Sequence, residues 1–151
     1  MNYELIMLKN ALRMKQNAKI LAKEMQLVAM RSYDTFNWRD GTMGQVHALG
    51  DYSEQIDRLV TFYNSVEKAL LIIPKGYRAL LVAVYFKHED KLDLALRFRV
   101  SRATVYRRLY TARELFREAL ISMGCTEQWF TSNYSNFDWI DRMPYRKQSK
   151  L

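Results

Sequence analysis

Between Glu4 and Tyr33 the chain has neither glycine nor proline, and its apolar residues keep one strict rhythm. Met7, Ala11, Met14, Ala18, Leu21, Met25 and Val28 follow one another at alternating steps of four and three, flanked early by Leu5, Leu8 and Leu12. A strand alternates every second residue, so this spacing excludes one and predicts a long helix with a heptad seam. At 1.5 Å per residue such a helix reaches roughly 45 Å, longer than a compact small globule needs. It must project or pair.

The same rhythm returns once. Tyr52, Ile56, Leu59, Tyr63, Val66, Leu70 and Ile73 again alternate four and three, up to Pro74. Between the seams, Asn37 to Gly50 holds Gly41, Gly44 and Gly50 without periodicity and is expected to be a loop. Asp51 and Glu54 have the spacing of a capping box, which would open the second helix. Two heptad helices joined by a loop predict a long antiparallel helical hairpin over residues 1–73. Two readings of it stand: an oligomerisation or partner-docking arm, or two seams that bury each other.

Of the 151 residues, 49% are apolar, while five glycines and two prolines leave little turn material for a β fold. The chain is expected to be all-α, as one domain or one domain with an appendage. Its longest apolar run, Ala79 to Phe86, is too short to cross a bilayer, and the N-terminus lacks the pattern of a secretion leader. Cys125 is the single cysteine, so no intrachain disulfide forms and a cytoplasmic setting is expected. The formal charge is +8, and residues 75–120 hold 11 Lys/Arg against 5 Asp/Glu. A charge excess concentrated in this way attracts a polyanion, of which nucleic acid is the usual one.

That basic segment also contains an interrupted helix. Residues 75–87 are predicted as a helix with Ala79, Leu80, Val82, Ala83 and Phe86 inward, followed by the polar turn His88-Glu89-Asp90. Residues 91–98 form a short helix carrying Leu92, Leu94, Ala95 and Phe98. Arg99 and Val100 break it, and Ser101 caps a longer helix whose buried face is Val105, Leu109, Ala112 and Phe116. Stop, tight turn and capped restart are the pattern of a helix-turn-helix. Arg99 occupies the place commonly held by glycine, so the turn is either strained there or wider. With Val105 inward, Ala103, Arg107 and Tyr110 face outward, flanked by Thr104 and Tyr106, with Arg102 in the first turn and Arg113 one turn on. Side chains near the start of such a helix meet base edges and phosphates in the major groove of double-stranded DNA. Arg117 lies beyond that reach.

No other chemistry competes. His47 and His88 stand far apart, and no zinc or phosphate-loop spacing occurs. Cys125 has no nearby histidine and reads as a small buried hydrophobe. No enzyme, no cofactor and no metal are expected.

The run from Lys75, the helix around Leu94-Ala95, and Ser101-x-x-x-Val105-x-Arg107-x-x-x-x-Ala112-x-x-x-Phe116 resemble the fourth conserved region of sigma-70-type RNA polymerase factors. The resemblance covers about residues 74–120. It implies a transcription regulator that reads promoter DNA through its last helix and touches RNA polymerase. By position it assigns base or phosphate contacts to Arg102, Thr104, Tyr106 and Arg107. A helical hairpin ahead of such a unit is similar to late-gene regulators of bacteriophages and prophages, of the ArpU and RinA kind. A bacterial host cytoplasm and association with the nucleoid follow from that likeness. The division is then a hairpin over 1–73, a DNA-binding helix-turn-helix over 74–123 and an aromatic extension over 124–151. Trp129, Phe130, Tyr134, Phe137, Trp139 and Tyr145 are expected to fold back on the chain rather than serve a partner. Two alternatives stay open: a small terminase subunit of DNA packaging, and a protein that grips polymerase or a sigma factor without touching DNA.

Overall fold

A computed structural model describes residues 2–34 and 41–134, with the side chains of 2–30 and 49–134. These residues are all-helical: α1 (Tyr3–Asp34), α2 (Gly41–Ile72), α3 (Lys75–Leu81), a π-helical turn (Val82–Phe86), α4 (Lys91–Phe98), α5 (Arg102–Ser122) and α6 (Glu127–Tyr134). None of these helices is long and apolar enough to cross a membrane.

Residues 41–50, expected as loop, are the first three turns of α2. Their three glycines cost a helix roughly 1 kcal/mol each against alanine, which made the segment look broken. Asp51 and Glu54 therefore lie inside α2 and cap nothing; Glu54 instead pairs with Arg58 at 2.8 Å. The rest of the expected loop, residues 37–40, lies outside the described residues.

The chain forms two compact units, Leu12–Asn64 and, together, Met1–Ala11 with Ser65–Leu151. Within Leu12–Asn64, Met14 and Ala18 of α1 and Leu59 and Phe62 of α2 are buried. Lys15 near the start of this stretch meets Tyr63 near its end, the ammonium 3.4 Å from the hydroxyl and 4.8 Å from the ring centre. Of the expected α2 seam, Leu59, Val66, Leu70 and Ile73 are buried, and Phe62 and Ala69 widen it, whereas Tyr52, Ile56 and Tyr63 are half-buried flanks.

In the second unit, the two ends of the long helices supply a core that the short helices cannot build alone. Met7, Leu8 and Ala11 of α1 and Val66, Ala69 and Ile73 of α2 are buried, as are Leu81, Val105, Phe116 and Leu120. Residues 2–11 and 65–73 thus share a unit with residues 75–134. Tyr3 fixes the start of α1 to α5 and α6. Its hydroxyl donates to the Cys125 carbonyl at 2.8 Å, and its ring lies 5.8 Å from Phe130 and 5.6 Å from the Arg117 guanidinium. Burial raises the Tyr3 pKa, with Arg117 opposing the rise. Phe130 and Tyr134 are buried, and Phe137, Trp139 and Tyr145 lie outside the described residues.

Residues 75–87 do not form one regular helix. Val82–Phe86 closes as a π turn, with Lys87 N–H donating to the Val82 carbonyl at 2.9 Å. Ala79, expected inside, is exposed, and Leu81 is buried in its place. Of the apolar residues on α4, Leu94 and Ala95 are buried and Leu92 and Phe98 are about half exposed.

Arg78 explains how α2 can stop at Pro74 without leaving its carbonyls bare. Its guanidinium donates to the carbonyls of Leu70 (2.7 Å), Leu71 (3.1 Å) and Ile73 (3.3 Å). A cation at a helix C-terminus also complements the helix dipole. Arg78→Ala is expected to destabilise the protein by about 2–3 kcal/mol, since hydrogen bonds to charged groups are lost and helix-end carbonyls are left unpaired. Arg78→Lys, which keeps the charge and loses the fork, should recover less than half of this in urea melts. Full recovery by lysine would show that charge, not donor geometry, is what matters.

Candidate nucleic-acid interface

The α4–α5 connection is built from local hydrogen bonds. Asp90 caps α4, its carboxylate accepting from Leu92 N–H at 3.3 Å. At the other end Arg99 adopts φ 56° and ψ 43°, the left-handed conformation. Val100 N–H then reaches the Ala95 carbonyl at 3.0 Å and Arg99 N–H the Leu96 carbonyl at 3.3 Å, which together make a Schellman stop. The strained alternative is the one the chain uses. Ser101 opens α5, its Oγ accepting from Thr104 N–H at 3.1 Å.

The end of α5 gives an internal comparison. There Gly124, at φ 84°, holds the equivalent position, with Cys125 N–H on the Leu120 carbonyl at 2.9 Å. Glycine bears this conformation without steric cost, and a residue with a Cβ does not. Arg99→Gly is therefore expected to stabilise the fold by about 1 kcal/mol in denaturant melts. The same variant should weaken nucleic-acid binding if the Arg99 charge is used there. A destabilised Arg99→Gly would mean that the arginine side chain holds the turn.

From this turn α5 presents two faces. Val105, Leu109, Ala112 and Phe116 are buried, as expected, and Arg102, Ala103, Tyr106, Arg107 and Tyr110 are exposed. Thr104 is half-buried, and its hydroxyl lies 2.8 Å from Ser101 Oγ, so part of its hydrogen-bonding capacity is used in the cap. Arg113 is also half-buried, with its guanidinium 6.0 Å from the Tyr110 ring and its Nε buried without a hydrogen-bond partner. Five of the seven residues named from sequence thus share one exposed face, with Thr104 and Arg113 at its margins.

Cations and aromatics interleave on that face. Tyr106 lies between Arg102 (5.9 Å) and Lys91 of α4 (5.1 Å). Lys91 was not singled out from sequence, because the contact joins two helices and no local spacing announces it. Lys9 of α1 comes near as well. Burial lowers its pKa below the ordinary lysine value, and Arg113 and then Lys91 add to the shift. No acidic residue occurs from Arg97 to Arg113, so this stretch carries unbalanced positive charge of its own. Not every arginine is free to contribute: Arg97 pairs with Glu89 at 3.0 Å, and Arg78 is spent on α2.

Beside this face, a cleft of about 440 Å³ opens between the start of α3 and the α4–α5 turn. Pro74, Tyr77, Leu80, Phe98 and Val105 line it, and Arg108 adds a charge. Phe98 is exposed because it borders this space. Among the described residues, no group of three or more His, Cys, Asp or Glu is placed to hold a metal ion. Comparison of the chain with protein-family models, with curated proteins and with solved structures finds no match.

Proposed function

We propose that this chain is a sequence-specific DNA-binding transcription regulator in which α4, the Arg99 turn and α5 act as a helix-turn-helix. The finer architecture is then a helical hairpin, α1 and α2, followed by a unit of the sigma region 4 kind. One observation carries the reading: Arg102, Ala103, Tyr106, Arg107 and Tyr110 form an exposed cationic and aromatic face opposite the buried one, at the capped start of α5. A recognition helix offers base-reading side chains from that end, and arginine pairs with guanine in the major groove. Arg99, Arg108 and Lys91 supply phosphate contacts around it, which position the protein and make its affinity depend on salt.

Action together with RNA polymerase is a second element of the reading. The apolar cleft beside the turn, with Phe98 at its edge and Arg108 beside it, favours it. A phage or prophage origin and a place at the bacterial nucleoid belong to the same proposal. The experiment maps DNA bound by the protein in cells and scores polymerase co-purification on the same sample. A discrete set of sites is the expected result. Polymerase capture without DNA sites would transfer the case to the interaction-protein reading, and a ring-shaped oligomer on DNA would favour a terminase subunit.

A further inference from the structure

The seam of α1 accounts for one of its faces. Met14 and Ala18 are buried on it, and Leu21, Met25 and Val28 continue it half-buried. Yet Leu12, Ile20, Leu27 and Met30 are exposed, the last three at 53%, 55% and 59%. At 3.6 residues per turn these four share a stripe on the opposite side of the helix from the seam. Single exposed apolar residues are ordinary, but a second apolar stripe running back-to-back with the first is what a helix carries between two neighbours.

The charges on this stripe name the neighbour. Lys23 lies between Ile20 and Leu27 on the same face, with Lys19 at one edge of the stripe and Glu24 at the other; all three are exposed, and about a two-fold axis between residues 23 and 24 Lys19 falls opposite Val28, not opposite a charge. Among the described residues, neither Lys23 nor Glu24 takes part in an ion pair. Place two copies of the helix antiparallel with a two-fold axis between residues 23 and 24. Ile20 then meets the second copy's Leu27 twice over, and Lys23 meets the second copy's Glu24 twice over. Self-complementarity of this kind is the requirement of an isologous contact. A parallel pairing would oppose Lys23 to Lys23.

We infer that the outer face of α1 is a homodimer contact, formed antiparallel with a second copy of this chain about the Lys23–Glu24 position. The contact stands independently of the DNA reading.

The test is sedimentation of the full chain across a concentration series, with circular dichroism as a fold control. Wild type should have the mass of two chains. Ile20→Asp with Leu27→Asp should give one chain with unchanged melting of its own core, because both positions are exposed. Lys23→Glu and Glu24→Lys, each alone, should raise the dimer dissociation constant by about tenfold, since symmetry creates two like-charge pairs at once. Combined, Lys23→Glu with Glu24→Lys should restore it. A wild type that is monomeric at all concentrations overturns the inference, as does an assembly unmoved by the Ile20 and Leu27 variants or one larger than two chains. Single variants that dissociate without rescue in the double overturn the antiparallel contact.

Discussion

Leu59→Asp is expected to lower the stability by about 4–5 kcal/mol, a large share of what holds an ordinary domain folded, and Leu21→Asp by about 1 kcal/mol. Both leucines occupy seam positions by sequence spacing, and heptad counting alone makes them equals. Leu59 is 2% exposed, so aspartate there removes a packed side chain and buries a carboxylate among apolar neighbours. Leu21 is half-buried, and a carboxylate at that site stays in contact with water. Urea melts of the two variants decide it. Equal losses would mean that the seam is closed along its whole length.

The largest effect on function is expected at Arg107. Its alanine variant should lose about 1–3 kcal/mol of affinity for the cognate duplex and little on a scrambled one, the signature of a base reader. Lys68→Ala, an exposed site on α2, serves as the comparison and should change neither. Arg117 is unsuited to that role despite its distance from the start of α5. It stacks on Tyr3, so removing it disturbs the tie between α1 and α5. Affinity of the wild type should fall steeply with salt, in proportion to the number of neutralised phosphates. Losses of equal size on both duplexes would reduce the α5 face to a general basic patch.

The sequence was most readable where polar caps and apolar period agree. Asp90 and Ser101 have side chains that favour caps over helix interiors, and Val105, Leu109, Ala112 and Phe116 keep period with one face. The start of α5 follows from Ser101, and the polar turn ending at Asp90 marks where α4 begins. The start of α2 was not readable for the opposite reason. Its glycines weaken the helix locally, and long-range packing overrides local preference without leaving a trace in the spacing. Arg78 shows a different blindness. Counted among the basic residues, it reads as part of a polyanion site. It is instead consumed by carbonyls five to eight residues back, across a proline corner that sequence periodicity does not cross. On the α5 face, residue types and direction were legible, whereas the joining of Lys91 to Tyr106 depended on how two helices meet.

The π turn at Val82–Phe86 makes this chain unevenly tolerant of changes in length. A π turn closes from residue i to i+5 and so holds one residue more per ring than an α turn. Removing one residue between Val82 and Phe86 would let the segment close as ordinary α-helix, with the polar turn at His88 still in place. The same deletion between Val105 and Leu109 of α5 would swing Leu109, Ala112 and Phe116 by about 100° relative to Val105 and take them out of the core of that unit. Relatives of this protein one residue shorter should therefore carry the gap between α3 and α4, and a deletion scan should find that window as a permissive island in an otherwise intolerant stretch.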